Sequence, residues 1–311
     1  MRVATFNTEL SRKGPGILLR DILKGSDPQI RAVIETLVVA QADVIALQGF
    51  DYDLHNSALN AFVKALKERG LDYPYHFAAS PNAGLQTVAD LDGDGKFGGP
   101  GDAQGYGRFF GQGSMAVLSR HPIDTANAQN FSTLLWKDLP DNIYPQTEAG
   151  PFPSDAAHDV QRLSSKGHWV VPIDHPDLGR FHILTFHASP PVFDGPEDRN
   201  GRRNHDEVAF WSAYLDGTFG PAPDTAFVLI GDANLDPDRG DGRSIAMRTL
   251  LDRADLQDPL PNVPTVHWAQ TGDMRVDYVL PSADWVVLNS KVVPNNPDAS
   301  RHSLVVVELK R

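Results

Sequence analysis

The run Phe227–Asn234, FVLIGDAN, governs how the rest of the chain is read. Four consecutive apolar residues followed by Gly231 predict a short strand buried on both faces. The strand ends in Asp232 and Asn234, two residues apart and so on one side of an extended chain. A buried strand that finishes this way carries a carboxylate and a carboxamide to a sheet end. Sheet ends are where α/β folds place their chemistry.

Outward from this run the same pattern recurs. Arg2–Asn7 closes with Asn7, Arg180–His187 closes with His187, and Arg275–Leu280 carries Asp277. His302 stands just before the β-branched run Ser303–Leu309. Further strand-like runs are Asp43–Gln48, Ser114–Arg120, His168–Asp174 and Trp285–Val293. Helical patterns fall between them. One opens at Asp27-Pro28, with Asp27 as N-cap and Pro28 at the first helical position. Others are expected over Ser57–Arg69 with Gly70 at the end, from near Asn204, and over Ser244–Leu251. No repeat or low-complexity linker interrupts the chain, so residues 1–311 read as one α/β domain. The long irregular stretches Ser80–Gly113, Pro122–Lys166 and Ala188–Arg203 are expected to be functional or mobile.

Composition narrows the chemistry. The 311 residues include no cysteine, which excludes disulfides, thiolate metal sites and a cysteine nucleophile. Metal ligands must then be oxygen and imidazole. The net charge of −12 argues against coating nucleic acid through a broad basic surface. No segment approaches the roughly 20 apolar residues that span a bilayer. The first residues, MRVATFNTEL, lack the regions of a signal peptide, so a cytoplasmic location is the default expectation; the absence of cysteine is also compatible with export.

A carboxylate, a carboxamide and an imidazole together can bind a hard metal, orient water and shuttle a proton. Taken in order, ATFN, ADVIALQ, GSMAVLSRHPI, ILTFHASP, LIGDANLDP, RVDYVLPS and SRHSLVVVEL resemble the endonuclease/exonuclease/phosphatase superfamily, the deoxyribonuclease I-like fold. The resemblance runs from Asn7 to His302. It implies a four-layer α/β sandwich, two stacked mixed β-sheets flanked by helices. It also implies metal-dependent hydrolysis of a phosphomonoester or phosphodiester with magnesium or manganese. Asn7 would lie beside the metal, and His187 would contact the scissile phosphate. Asp232 and Asn234 would position and deprotonate water, while Asp277 and His302 would complete the pocket. The substrate would be a phosphorylated small molecule, a phospholipid head group or nucleic acid, with no obligate protein partner.

Two departures stand out. In the family the strand matching ADVIALQ ends in a glutamate that is the principal metal ligand; here the next residue is Gly49. Asp51 keeps the strand parity and is the expected shifted ligand, giving Asn7, Asp51, Asp232 and Asp277 as the metal set. A glutamate restored at position 49 is expected to raise metal affinity and activity. The residue before the final histidine is Arg301 where the family has aspartate, and its charge is expected to disfavour protonation of His302. Together these departures support an alternative, a catalytically degenerate member that binds a phosphorylated ligand without turnover.

Two further segments stand outside this set. Asp90, Asp92 and Asp94 with Gly95 read as the first half of an EF-hand-type calcium loop, and Asp102 follows the usual last position. Arg199 and Arg203, with Lys166 and His168 of RLSSKGHW, are expected to bind substrate phosphate. The competing reading pairs Arg202 and Arg203 with Glu197, Asp198, Asp206 or Glu207 at a helix start. These segments together look like a bacterial subgroup of the superfamily.

Overall fold

A computed structural model describes all 311 residues. Its first half runs β1 (Arg2–Asn7), α1 (Ile17–Lys24), α2 (Pro28–Ala40), β2 (Val44–Phe50), α3 (Ser57–Glu68), β3 (Tyr75–Phe77), β4 (Ser114–Ser119), β5 (Gln129–Asn130), β6 (Gln146–Thr147), β7 (Gly150–Pro151) and α4 (Asp155–Val160). The rest is β8 (His168–His175), β9 (Gly179–His187), α5 (Arg199–Leu215), β10 (Phe227–Asp232), α6 (Ile245–Leu251), β11 (Val266–Trp268), β12 (Gly272–Met274), β13 (Asp277–Pro281), β14 (Val286–Val292) and β15 (Val305–Lys310). A six-stranded sheet has the order β14-β15-β1-β2-β4-β3, and a five-stranded sheet the order β13-β10-β9-β8-β5. Both mix parallel and antiparallel neighbours.

The alternation of side chains builds the layers. In β10, Val228 and Ile230 face the core between the sheets, while Phe227 and Leu229 face a second core under α5 and α6. In β15, Val305 and Val307 enter the inter-sheet core, and Val306 joins a third core. That third core holds Val33 and Leu37 of α2 and Phe62 and Leu66 of α3. Each sheet is therefore apolar on both faces, which is why its strands read as continuous hydrophobic runs. The result is helices, sheet, sheet, helices: the expected four-layer α/β sandwich.

Local signals worked where they were strong. Asp27 caps α2, its Oδ1 accepting from the Ile30 N–H at 2.9 Å. Gly70 follows α3 at φ +82°, donating to Lys67 O. Helix α5 begins at Arg199 rather than near Asn204. Its first turns, RNGRRN, have no apolar stripe; Asn200, Arg202, Arg203 and Asn204 donate to loop carbonyls instead.

Candidate active site

Strand register gathers the polar residues. Asp232 ends β10 opposite His187 in the parallel pairing with β9 and opposite Asp277 in the antiparallel pairing with β13. Asn7 ends β1 in the other sheet, and its Nδ2 donates to Asp232 Oδ2 at 2.8 Å. The same Nδ2 lies 3.5 Å from His302 Nε2. His302 Nδ1 is 2.9 Å from Asp277 Oδ2, which also accepts from Thr265 Oγ1 at 2.8 Å. His187 Nε2 lies 3.4 Å from Asp232 Oδ2. The Asn234 N–H donates to Asp232 Oδ1 at 2.8 Å, and its Nδ2 donates to Ala188 O at 2.9 Å. Asn7, His187, Asp232, Asn234, Asp277 and His302 thus form one constellation at a common edge of both sheets.

Burial sets the electrostatics. Burial, then the neighbouring Asp277 carboxylate, raises Asp232 to about 7 despite the hydrogen bonds from Asn7 and Asn234. Burial alone would lower His302, but Asp277 and Asp232, with a contribution from Glu9, hold it at about 9. Burial, reinforced by the Lys166 and His302 charges, keeps His187 well below the ordinary histidine value. The site therefore offers a base poised near neutral pH, an imidazolium and a neutral imidazole. Asp232, Asp277 and His302 each offer a ligand atom, all within 4.8 Å of one another. The adjacent buried carboxylates of Asp232 and Asp277, with the Asn7 carboxamide, are oxygen donors that fit a divalent cation such as magnesium or manganese, while the protonated His302 serves as a donor beside them.

The residues expected around this centre divide. Asp51 is spent on backbone: Oδ2 accepts from the Arg12 N–H and Oδ1 from the Gly113 N–H, both at 2.8 Å. Its carboxylate fastens two loops to the β2 exit and stands outside the Asp232–Asp277–His302 group. Asp51 loses strand parity because the pairing shifts between Gln48 and Phe50, around Gly49 at φ +68°. A Cβ at Gly49 would lie 2.4 Å from Asn7 Oδ1 and 2.9 Å from the Glu9 nitrogen, so this position has no room for a restored glutamate. Arg301 likewise departs from expectation. Its guanidinium and N–H engage Glu9, and His302 is held protonated rather than discharged.

Among the expected phosphate cations, Arg203 is buried, donating to Leu163 O and Arg162 O, each at 2.8 Å, and to Gln104 O. It braces loops instead of facing solvent. His168 is also buried, with Nδ1 against Ser164 Oγ and Nε2 2.8 Å from Glu207 O, among Phe186, Phe210 and Trp211. These two corrections share one cause: polar spacing in the sequence marked interior bracing as surface. Arg202 likewise braces, its Nε donating to Glu197 O and its Nη1 to Ile143 O. Arg199 is largely buried beside Tyr144, and its Nε has no hydrogen-bond partner. Lys166 retains a nearly free ammonium, with only long contacts to Tyr106 O and Gln112 O. Burial lowers it to about 8, and its charge acts on His187.

Several supporting residues gave little sequence signal. Buried Glu207 accepts from the Ser165 and Ser189 N–H groups, both at 2.6 Å, so it fixes the segment before Lys166 and the one after His187. Asn204 donates to Ser189 O and Ala233 O, each at 2.7 Å. Both lie in a charged run whose partners are remote in sequence. Ser300 Oγ donates to Asn7 O at 2.7 Å, and Trp268 sits edge-on to His302 with ring centres 5.9 Å apart.

In the acidic loop, Asp90, Asp92 and Asp102 bring carboxylate oxygens within 4.8 Å of one another. Asp94 is not among them and pairs with Lys96 at 3.6 Å. Asp102, buried, accepts from the Leu91 N–H at 3.0 Å and the Gly99 N–H at 2.8 Å.

The chain covers its whole length on solved structures of similar fold. One is an endonuclease/exonuclease/phosphatase from Beutenbergia cavernae, 20% identical, with 100% of this chain and 71% of that one aligned at a TM-score of 0.63. Sphingomyelinase C from Streptomyces griseocarneus is 19% identical over 99% of this chain and 98% of its own, at 0.53. A mannosyl-6-phosphatase from Bacteroides thetaiotaomicron is 15% identical over 100% of both chains, also at 0.53. No curated protein matches the sequence. The sequence pattern of one family matches residues 4–302, a span that takes in every strand-end polar residue of the site. The chain belongs to the Endonuclease/Exonuclease/phosphatase family.

Proposed function

We propose that this protein is a metal-dependent phosphoesterase that hydrolyses a phosphomonoester or phosphodiester by in-line attack of water, with residues 1–311 acting as one catalytic domain. The observation that carries this is Asp232, fully buried between His187 and Asp277 and brought to about 7. Asp232 takes the proton of the attacking water, and Asn234 fixes the backbone that aims it. His187 donates Nε2–H to a phosphoryl oxygen. His302, held protonated by Asp277, offers its Nε2–H to the oxygen that accumulates charge or leaves. The Asp232 and Asp277 carboxylates, with the Asn7 carboxamide alongside, would hold the divalent cation, which would neutralise phosphoryl charge. Lys166 is the cation best placed to meet substrate phosphate, with Arg199 farther along α5.

The substrate class is narrowed by charge. The similar structures carry names that include a sphingomyelinase and a sugar phosphatase. A net charge of −12 favours a compact phosphoester or a lipid head group over a nucleic acid polyanion. Release of nitrophenol from bis-nitrophenyl phosphate and from nitrophenyl phosphate, with magnesium, manganese and calcium in turn, tests the reading. Turnover of either ester with magnesium or manganese is expected. No turnover with any ion, alongside retained binding of inorganic phosphate, would favour the binding-only reading.

The loop around Asp90, Asp92 and Asp102 is proposed to hold calcium for structural purposes. Calcium at millimolar concentration should raise the melting temperature, since an ion bound only by the folded chain stabilises it. Asp92→Ala should remove that rise and leave ester hydrolysis unchanged. An unchanged wild-type melting temperature would reduce the loop to a solvated turn.

A further inference from the structure

The oxygens of the proposed cation site are already engaged in hydrogen bonds. Asp232 already accepts from Asn7 and Asn234, and Asp277 accepts from Thr265 and contacts His302. Asn7 Oδ1 accepts from the Glu9 N–H at 3.1 Å, and Gln48 Oε1 from Thr5 Oγ1 at 3.0 Å. Asp51 is locked by two backbone groups. A divalent ion with six or more oxygen positions needs another donor.

Glu9 is the carboxylate at this edge whose principal partner can swing away. The chain reaches it through a left-handed turn at φ +49°, and its backbone fills the space into which a side chain at position 49 would project. Its Oε2 accepts from the Arg301 N–H at 2.8 Å and lies 3.2 Å from Ser300 Oγ. That same hydroxyl holds Asn7 O and accepts from the His302 N–H. Oε1 is held by the Arg301 guanidinium, whose side chain is 66% exposed against 23% for Glu9. An ion pair with so exposed a partner contributes little net stability, because water and salt compete for it.

We propose that Glu9 is the carboxylate ligand this chain uses in place of residue 49, and that Arg301 holds it in reserve until a divalent cation binds. The guanidinium that is released turns its fork toward solvent at the mouth of the site, where it matches the oxygens of an incoming phosphoryl group. Gly49 follows from the same arrangement: the position must carry no side chain for the Glu9 turn to lie against it. The proposal rests on the cation site described above and names one more of its ligands.

The test is Mn²⁺ binding to the folded protein by calorimetry, with no substrate present. Glu9→Gln should weaken binding by about tenfold or more, in the range seen when groups supporting a metal site are removed. Arg301→Met should tighten it, since the carboxylate no longer has to leave a partner. The double variant separates ligation from simple charge. If Glu9 ligates, the double variant binds as weakly as Glu9→Gln, because Arg301→Met has nothing to release. If both residues act only through space, their effects cancel and the double variant returns to the wild-type value, which overturns the proposal. Mn²⁺ affinity unchanged or weakened in Arg301→Met also overturns it, and that exposed substitution leaves the fold intact. Asp232→Asn serves as the reference. Loss of binding there with none in Glu9→Gln sinks the Glu9 assignment alone, whereas no effect from either sinks the cation site itself.

Discussion

His302→Asn should lower kcat for phosphoester hydrolysis by about 10²–10⁴-fold, the range for removing a positioned acid or base. The histidine is buried, yet Asp277, Asp232 and Glu9 hold it at about 9, so at neutral pH it carries the proton that the proposed hydrolysis would use. The same proton has a signature in stability. With a folded value near 9 and an ordinary value of 6.5, the native state keeps a proton that the unfolded chain sheds between those limits. The stabilisation is complete below about 6.5 and is lost as pH rises through about 9. Urea unfolding across this window should show stability falling with pH in the wild type and a flatter profile in His302→Asn. A variant retaining activity within tenfold of wild type, with an unchanged pH profile, would remove His302 from the chemistry.

Gly49→Glu should damage the protein rather than repair it. A side chain there must adopt φ +68°, and strain of this kind costs about 1–3 kcal/mol. Its Cβ would also press on Asn7 Oδ1 and on the Glu9 backbone, displacing the side chain that holds Asp232. Lower unfolding free energy, weaker Mn²⁺ binding and lower kcat are expected together. Gly49→Ala should reproduce most of the loss, since the conflict begins at Cβ. Unchanged stability together with higher Mn²⁺ affinity in Gly49→Glu would mean that the β2 exit can be rebuilt.

The sequence showed the architecture because the central strands β1, β9 and β10 are apolar on both faces and end in a polar side chain. FVLIGDAN needed nothing beyond its own eight residues to place Asp232 and Asn234. Residues whose roles depend on remote partners were not legible. His168 stands among polar neighbours in RLSSKGHW, yet its ring lies against Phe186, Phe210 and Trp211 from other elements. Arg203 has the spacing of a phosphate ligand, but its donors go to carbonyls some forty or more positions away in sequence. Glu9 had a signal, since it follows Asn7 by two residues. It lies past the end of β1, outside the strand-end pattern that marks the other site residues. Parity arguments of the kind that favoured Asp51 hold only while a strand stays regular, and β2 does not.

Asn7 belongs to one sheet and Asp232 to the other; His302 leads into the first and Asp277 opens a strand of the second. The two hydrogen-bonded pairs therefore stitch the layers together at the edge where the apolar inter-sheet core runs out. Mutational drift meets an unusual constraint here. A lineage that stopped needing the reaction would still need these side chains, or substitutes for both members of each pair, to keep its layers in register. Retention of these residues in a distant descendant is then a record of how the molecule is fastened as much as of the reaction proposed for it.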